Sequence, residues 1–580
     1  MRLSRSASLP RHWIHSGIVA ILLAIPATAH AAWPPDPTTN VALCTTTSSS
    51  QVSAAVPDGK GGAIVAWYED RNADFDVFVR RVNDQGVPLW TANGIKVCTA
   101  PIGTAQILPK AVSDGLGGAL VVWMDGRNGP QNLYAQRVDS LGNLAWAPGG
   151  VLVATTNTAQ VTSFSVAADG SNGIVVTWDT PASAISSDIW AQRLNAAGVA
   201  QWGASAKSVC ADRFDQQRPV VVRKASGVFV IAWEDLRLTF RADIYAQALT
   251  NAGATQWTRD GIPLAASADN ASNPMLLASG ADDCLLLWDA DSLGIGEIRG
   301  QRVGPTGTFL WQGIGQRLTN PGLSGLMGAA SDDSSGAYFV FNAIEGVQSK
   351  LALRVGRVRA DGQYMFQLTG KRVCGAGSNQ TQAAVTSDGT GGVLMTWYDD
   401  QRGLSSASDV LAQRVNRVGN LLWSGGGVPV CRAPNNTGPG LVVTRGVPGG
   451  AVVAWSDTRN STSPDLYVQG IDALGRLGVG LGVEPPAEPV AVALARPAPN
   501  PAPSGRTAIA YTLTQSERVQ LRVVDPSGRV VAVLEDGVRE PGTHRIAWDG
   551  RAHGQSLPPG LYLVQLLTPT RSEIRRLVLL

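Results

Sequence analysis

One feature constrains this chain more than any other: a unit of about 55 residues recurs eight times along it. Its clearest copy runs from Asp114 to Val153. It reads Asp114-Gly-Leu-Gly-Gly118, then an apolar run into Trp123-Met-Asp125-Gly-Arg127, then Leu133-Tyr-Ala-Gln136, then Gly142-Asn-Leu-Ala-Trp146. The apolar run ends at Trp67, Trp123, Trp178, Trp233, Trp288, Phe341, Trp397 and Trp455. A second aromatic follows in seven copies, at Trp90, Trp146, Trp202, Trp257, Trp311, Phe366 and Trp423. A unit of this length buries its faces only against its neighbours. Lys110–Ser113, Gly118–Met124, Asn132–Val138 and Leu144–Val153 read as four short strands separated by Gly-rich turns. Four strands per repeat predict an all-β chain built as an eight-bladed β-propeller.

Repeat eight reaches Leu474-Gly475 and then loses the pattern, with no second aromatic and no final strand. Asn40-Val41-Ala42-Leu43-Cys44 aligns with Gly94-Ile-Lys-Val-Cys98 and Gly427-Val-Pro-Val-Cys431. The N-terminal strand is therefore expected to complete the last blade, which leaves no sheet edge open.

Charged residues make up 16% of the chain and the net charge is +2, so nothing marks a nucleic acid or an anionic membrane as partner. Arg2, Arg5 and Arg11 precede an apolar run from Ile18 to Ile25 and then Ala29-His30-Ala31, the order of a secretory signal peptide. The run falls far short of the roughly 20 apolar residues a membrane span needs. The expected division is a signal peptide over 1–31 cleaved between Ala31 and Ala32, a propeller over 32–482, a Pro-rich linker over 483–505, and a small β-sandwich over 506–580. The mature chain is expected outside the cell, secreted or held at a surface, with no transmembrane span.

In the last segment, strand-like runs alternate with the turns Pro526-Ser-Gly528, Pro541-Gly542, Asp549-Gly550 and Pro558-Pro-Gly560. Pro499-Asn500-Pro501, Leu521-Arg-Val-Val-Asp525-Pro-Ser-Gly528-Arg529, Gly542-Thr-His-Arg-Ile-Ala-Trp548-Asp549-Gly550, Gly560-Leu-Tyr562 and Leu577-Val-Leu-Leu580 follow in order. This series resembles the immunoglobulin-like domain of the flagellar hook-capping protein and the C-terminal sorting domains of type IX secretion substrates. The resemblance implies an Ig-like sandwich and delivery to, or tethering at, a bacterial outer surface, with secretion or attachment machinery as partner.

The histidines are His12, His15, His30, His544 and His553, so the repeats contain none. That removes Ser-His-Asp and Cys-His catalysis and histidine-ligated metal from the ring. The most frequent polar motif is Trp-x-acid-x-Arg, at Trp67, Trp123, Trp233 and Trp455, with a one-residue-longer form at Trp397. An acid and an arginine two apart can pair within a turn or across blades. One ligand has no use for several equivalent copies, whereas blade geometry needs its turn in each, so the motif and the recurrent Gln136, Gln192, Gln247, Gln301, Gln413 and Gln469 read as structure. Cys44, Cys98, Cys210, Cys374 and Cys431 share one repeat position and Cys284 lies elsewhere. Facing sheets sit about 10 Å apart, beyond disulfide reach, so buried free thiols are expected. No CxxC pair occurs, and no cofactor or metal site is expected.

Val138-Asp-Ser-Leu-Gly142-Asn-Leu-Ala-Trp146 and Val415-Asn-Arg-Val-Gly419-Asn-Leu-Leu-Trp423 resemble the repeats of pyrroloquinoline quinone-type eight-bladed propellers. In that family the tryptophan docks blades together. The vicinal cysteines of its enzymes are absent here, so the resemblance implies scaffold and not cofactor.

Particular function is to be sought where repetition breaks. The candidate binding residues are Asp179 in repeat three, Asp289 and Asp291 in repeat five, and Asn342 and Glu345 in repeat six. The first expectation is an exported, non-enzymatic binding or structural protein for a protein or glycan ligand. The alternative is a secreted glycan hydrolase or lyase working through Asp, Glu and Arg in the propeller mouth, chemistry that needs no histidine.

Overall fold

The computed structural model describes residues 33–481 and 493–580, apart from 72–73, 102, 155–159, 184–185, 238–240, 266–268, 281, 293, 314, 323–324, 347–348, 376, 401–407, 435–437, 439, 461–462, 496, 503–505, 514–515, 541, 553 and 569–571. The expected signal peptide and its cleavage point at Ala31 and Ala32 lie outside the described residues, as do Arg402 and His553. The chain divides into two compact units, Met1–Gly482 and Val483–Leu580.

The first unit is all-β and propeller-like. Each repeat forms one antiparallel sheet whose strands follow in chain order, as in Gln106–Ser113, Ala119–Asp125, Asn132–Val138 and Val151–Leu152 of repeat two. The first strand of each sheet lies beside the first strand of the next, and Leu441–Arg445 of repeat eight lies beside Ser50–Pro57 of repeat one. Val41–Cys44 pairs antiparallel with Asp465–Ile471, matching Val41 to Val468 and Ala42 to Tyr467, and so supplies the fourth strand of the last sheet.

Second strands are largely apolar up to the motif tryptophan because both of their faces are covered. In Ala63–Glu69, Ile64 and Ala66 pack with Val121 and Trp123 of repeat two. Ala63, Val65 and Trp67 point the other way, to Val452, Ala454 and Leu466 of repeat eight. A side-chain period of two thus sends the motif tryptophan of each repeat toward the preceding one, and the residue after it toward the following one.

The second aromatic of each repeat docks on the next sheet. Trp146 donates its Nε1–H to Ala196 O at 3.0 Å and Trp423 to Ala473 O at 3.2 Å. Each stands over a turn glycine with φ near +80°, where a Cβ would come within 3.0 Å of the indole: Gly198 (φ +78°) for Trp146 and Gly475 (φ +79°) for Trp423. Repeat eight obtains its second aromatic from the other end of the chain. Trp33 is fully buried, donates to Asp84 O at 2.9 Å and packs on Gly86 of repeat one. The recurrent glutamines hold this turn in place. Gln136 donates from Nε2 to Ala147 O at 2.7 Å while its Oε1 accepts the N–H of Trp146 at 3.0 Å, and Gln192, Gln247, Gln301 and Gln413 repeat the pattern.

The second unit carries two sheets over one core. Ala493–Leu494, Thr507–Leu513 and Gly542–Trp548 form one; Val530–Arg539, Glu517–Val524, Gly560–Leu567 and Ser572–Leu579 form the other. Leu494, Ala502, Tyr511, Leu521, Val523, Trp548 and Leu577 meet between them. The Pro-rich stretch is not all spacer: Leu494 and Ala502 are core residues, and Asn500 is tied to the last strand through Arg576 O and the Val578 N–H.

Candidate functional site

The Trp-x-acid-x-Arg motif is one half of a latch between sheets. The acid accepts the Trp Nε1–H, as Asp125 does from Trp123 at 2.8 Å, Asp235 from Trp233 at 2.8 Å and Asp457 from Trp455 at 2.9 Å. The arginine pairs with the same carboxylate and stacks on the aromatic of the third strand, Arg127 over Tyr134 and Arg459 over Tyr467. The other half is the cysteine that closes the preceding sheet: Arg71 reaches Cys44 Sγ at 3.2 Å, Arg237 reaches Cys210 at 3.0 Å and Arg459 reaches Cys431 at 3.0 Å. All six thiols are free and buried. Burial pushes those of Cys44, Cys98, Cys210, Cys284 and Cys431 up to about 12. Recurrence and burial both mark this group as architecture.

Repeats three, five and six lack the latch as a whole. The sheets that precede them hold Ala154, Ala265 and Thr319 at the cysteine position, and their own acid position holds Thr180, Ala290 and Ala343. Their central hairpins are longer: Ile174–Ser183 with Ser186–Leu194, Asp283–Ser292 with Ile295–Val303, and Ala337–Glu345 with Lys350–Val358. In repeats five and six an arginine replaces the third-strand aromatic. Arg299 pairs with Glu297 at 2.6 Å and Asp269 at 3.1 Å, and Arg354 pairs with Glu345 at 2.5 Å.

At this departure from the pattern, three carboxylates come together. The residue after the motif tryptophan faces the next sheet, and in repeats seven and eight it caps the start of that sheet's first strand. Ser456 Oγ does so by accepting the Val52 N–H at 2.9 Å, and Tyr398 by donating to Gly440 O at 3.0 Å. A hydroxyl is therefore enough for the architecture. Repeats three, four and five instead place Asp179, Glu234 and Asp289 there. Asp179 accepts the N–H of Arg218 at 3.2 Å, and Glu234 accepts the N–H of Asn273 at 2.8 Å. Asp289 accepts the N–H of Leu326 at 2.7 Å and the Asn273 amide at 2.9 Å. Arg218 and Asn273 sit on bulges in the left-handed region, with φ of 52° and 53°. Bulges of this kind re-aim a side chain. The Arg218 side chain is 65% exposed and reaches Glu234 Oε1 at 3.3 Å, while Gln217 donates to Glu234 Oε2 at 3.1 Å. The result is a continuous acidic arc, Asp179–Arg218–Glu234–Asn273–Asp289, across the first and second strands of repeats three to five. Burial, helped by the neighbouring Glu234, pushes the Asp289 carboxyl above its ordinary value against the hydrogen bonds from Asn273 and Leu326.

Of the residues singled out in sequence, Asp179 and Asp289 belong to the arc; Glu234, Arg218 and Asn273 were missed. Asp291 instead caps an exposed turn through the Gly294 N–H at 2.6 Å. Asn342 is buried in its strand, and Glu345 is engaged by Arg354 and Arg372. Among the described residues no group of His, Cys, Asp and Glu could hold a metal ion, and no helix is long and apolar enough to cross a membrane.

The second unit is similar to the family described as FlgD Ig-like domain, which matches residues 502–571. No curated protein matches the chain. Among solved structures, the chain is similar to a protein of unknown function from Dyadobacter fermentans, at 11% identity and TM-score 0.37, covering 65% of this chain and 98% of that one. It is also similar to a polysaccharide lyase of family PL25, an ulvan lyase, at 10% identity and TM-score 0.37, covering 62% and 90%. A third is an α-L-arabinofuranosidase from Fusarium graminearum, at 9% identity and TM-score 0.30, covering 55% and 95%. The expectation of a non-enzymatic binding or structural protein is corrected at this point: the ulvan lyase and the arabinofuranosidase among these similar structures are glycan-active enzymes and side with the alternative expectation. In sequence, Asp179 and Asp289 stand out as breaks in the repeat while Glu234 is passed over; the structure joins all three at a position where a hydroxyl serves in repeats seven and eight.

Proposed function

We propose that the chain is an exported glycan-active enzyme, a hydrolase or a lyase, whose chemistry is carried by the acidic arc in the mouth of an eight-bladed propeller closed by its N-terminal strand. One observation supports the assignment above the rest: three consecutive repeats place a carboxylate where a serine or tyrosine suffices elsewhere. Asp289, with its carboxyl pushed up, is the proton donor. Glu234, nearly fully buried and engaged by Arg218, Gln217 and Asn273, positions the exposed Arg218 guanidinium for substrate oxygens or for charge that develops in the reaction. Asp179 supports the Arg218 bulge. The C-terminal Ig-like unit serves delivery to the cell surface or attachment there.

The test is turnover on a panel of neutral and uronate-containing polysaccharides, read as new reducing ends and as ultraviolet absorbance of unsaturated ends. The two readouts separate hydrolase from lyase. Turnover by the wild type should fall about 10²- to 10⁴-fold in Asp289→Asn, the range general acid catalysis contributes. A panel without turnover, or an undiminished Asp289→Asn, refutes the proposal.

A further inference from the structure

At one junction between neighbouring sheets an amide stands where the other repeats place an aliphatic residue or a lysine. Opposite the third strand, the fourth-strand position is Val41, Ile95, Val151, Ile262 and Val428 in five repeats and Lys207 and Lys371 in two. Ile95 lies against Gly142 and Ile262 against Gly307 of the next sheet. In repeat five this position is Gln316, which donates from Nε2 to Gly362 O at 2.7 Å. The bridge position that faces it is Leu144, Ala200, Thr255, Phe309 or Leu421 in other repeats, and Tyr364 in repeat six. Between repeats five and six these changes open a groove of about 780 Å³ lined by Trp311, Gln312, Gln316, Asp361, Gln363 and Tyr364.

The polar edge of Trp311 is already spent on Ala360 O at 2.9 Å, and Asp361 is neutralised by Arg359 at 3.1 Å. Burial raises the Tyr364 phenol above its ordinary value, so it stays protonated beside the Gln316 amide. Trp311 is buried and forms the floor, so the lining offers the Tyr364 ring and the exposed Leu310 as apolar surface, with three amides and one hydroxyl around them and its one acid paired. That chemistry suits a ring with an apolar face and a rim of uncharged hydroxyls, and the volume lies within the range of about 300 to 1,000 Å³ for ligand sites.

We propose that this groove is a binding subsite for a neutral polysaccharide chain, separate from the acidic arc and acting to hold the polymer while the arc works on it. The proposal takes glycan as ligand from the functional reading above but does not depend on turnover. The experiment is affinity electrophoresis of the whole chain in native gels containing linear arabinan, xylan or glucomannan, with an uronate polymer as comparator. The wild type should be retarded in at least one neutral gel. Gln316→Ile with Tyr364→Leu installs residues found at equivalent positions of this same ring, so folding should survive, with an unchanged melting temperature as the check. That double variant should bind more weakly by about tenfold or more. Asp289→Asn should be retarded like the wild type, so loss of turnover and loss of this subsite are read separately. No retardation in any neutral gel, retardation only by the uronate polymer, or a folded double variant retarded like the wild type overturns the proposal.

Discussion

Replacing Trp33 by Ala tests whether the two ends of the repeat array are joined. Trp33 is fully buried, packs on Gly86 of repeat one and Gly470 of repeat eight, and donates its indole N–H to Asp84 O at 2.9 Å. Truncating a buried tryptophan costs about 3 to 5 kcal/mol. At about 2.1 cal/mol/K per residue over a ring of about 450 residues, the entropy of unfolding is near 1 kcal/mol/K, so the loss converts to about 3 to 5 °C in Tm. Scanning calorimetry of Trp33→Ala beside Trp423→Ala gives the comparison, because Trp423 makes the same contact between repeats seven and eight. Equal losses are expected. If Trp33→Ala melts with the wild type while Trp423→Ala falls, the N-terminal segment is an ornament and does not close the ring.

Asp125→Ala leaves both Arg127 and the Trp123 indole N–H without their carboxylate, so it should cost about 3 to 5 kcal/mol, measurable by urea unfolding. Trp178 differs: its Nε1 has no partner among the described residues although the side chain is 3% exposed, so Trp178→Phe should cost clearly less than Trp123→Phe under the same measurement. Thiol titration should count no reactive cysteine in the native protein at pH 8 and six after denaturation, since burial holds the thiols protonated. Burial pushes the Asp332 carboxyl up, but Arg357 and the N–H groups of Ser334 and Gly336 outweigh it and hold it below its ordinary value. A depressed carboxyl adds stability above its unfolded value near 3.9 and loses it as pH falls through the folded value, so Asp332→Asn should lower Tm by a near-constant amount at neutral and alkaline pH and flatten its acid limb.

The repeat period, the four-strand unit and the pairing of Val41–Cys44 with the last sheet were legible because each is written in apolar alternation and turn glycines. Trp33 escaped because it lies eleven residues before Cys44, whereas Trp90 and Trp423 lie eight before Cys98 and Cys431. The latch was visible only as separate motifs. That Ala154, Ala265 and Thr319 replace cysteine where the acid is also lost could have joined them, but the cysteine belongs to one repeat and its arginine to the next, and only the packing of sheets brings the two together. Glu234 was hidden in plain order: its repeat carries an intact Trp-x-acid-x-Arg motif, which drew the reading to Asp235 and away from the residue between. Leu494 and Ala502 looked like linker because proline composition dominates that stretch, whereas burial there is decided by a few apolar side chains that reach the second core.

The proposed function divides labour among the repeats, with the recurrent polar groups serving architecture and the arc in repeats three to five serving chemistry. Turnover and melting measured together on Asp289→Asn and Asp125→Asn test that division most directly. The division predicts that Asp289→Asn melts near the wild type and loses turnover about 10²- to 10⁴-fold, while Asp125→Asn melts lower and keeps its turnover per folded molecule. Full turnover in Asp289→Asn on every polysaccharide that the wild type cleaves would contradict it.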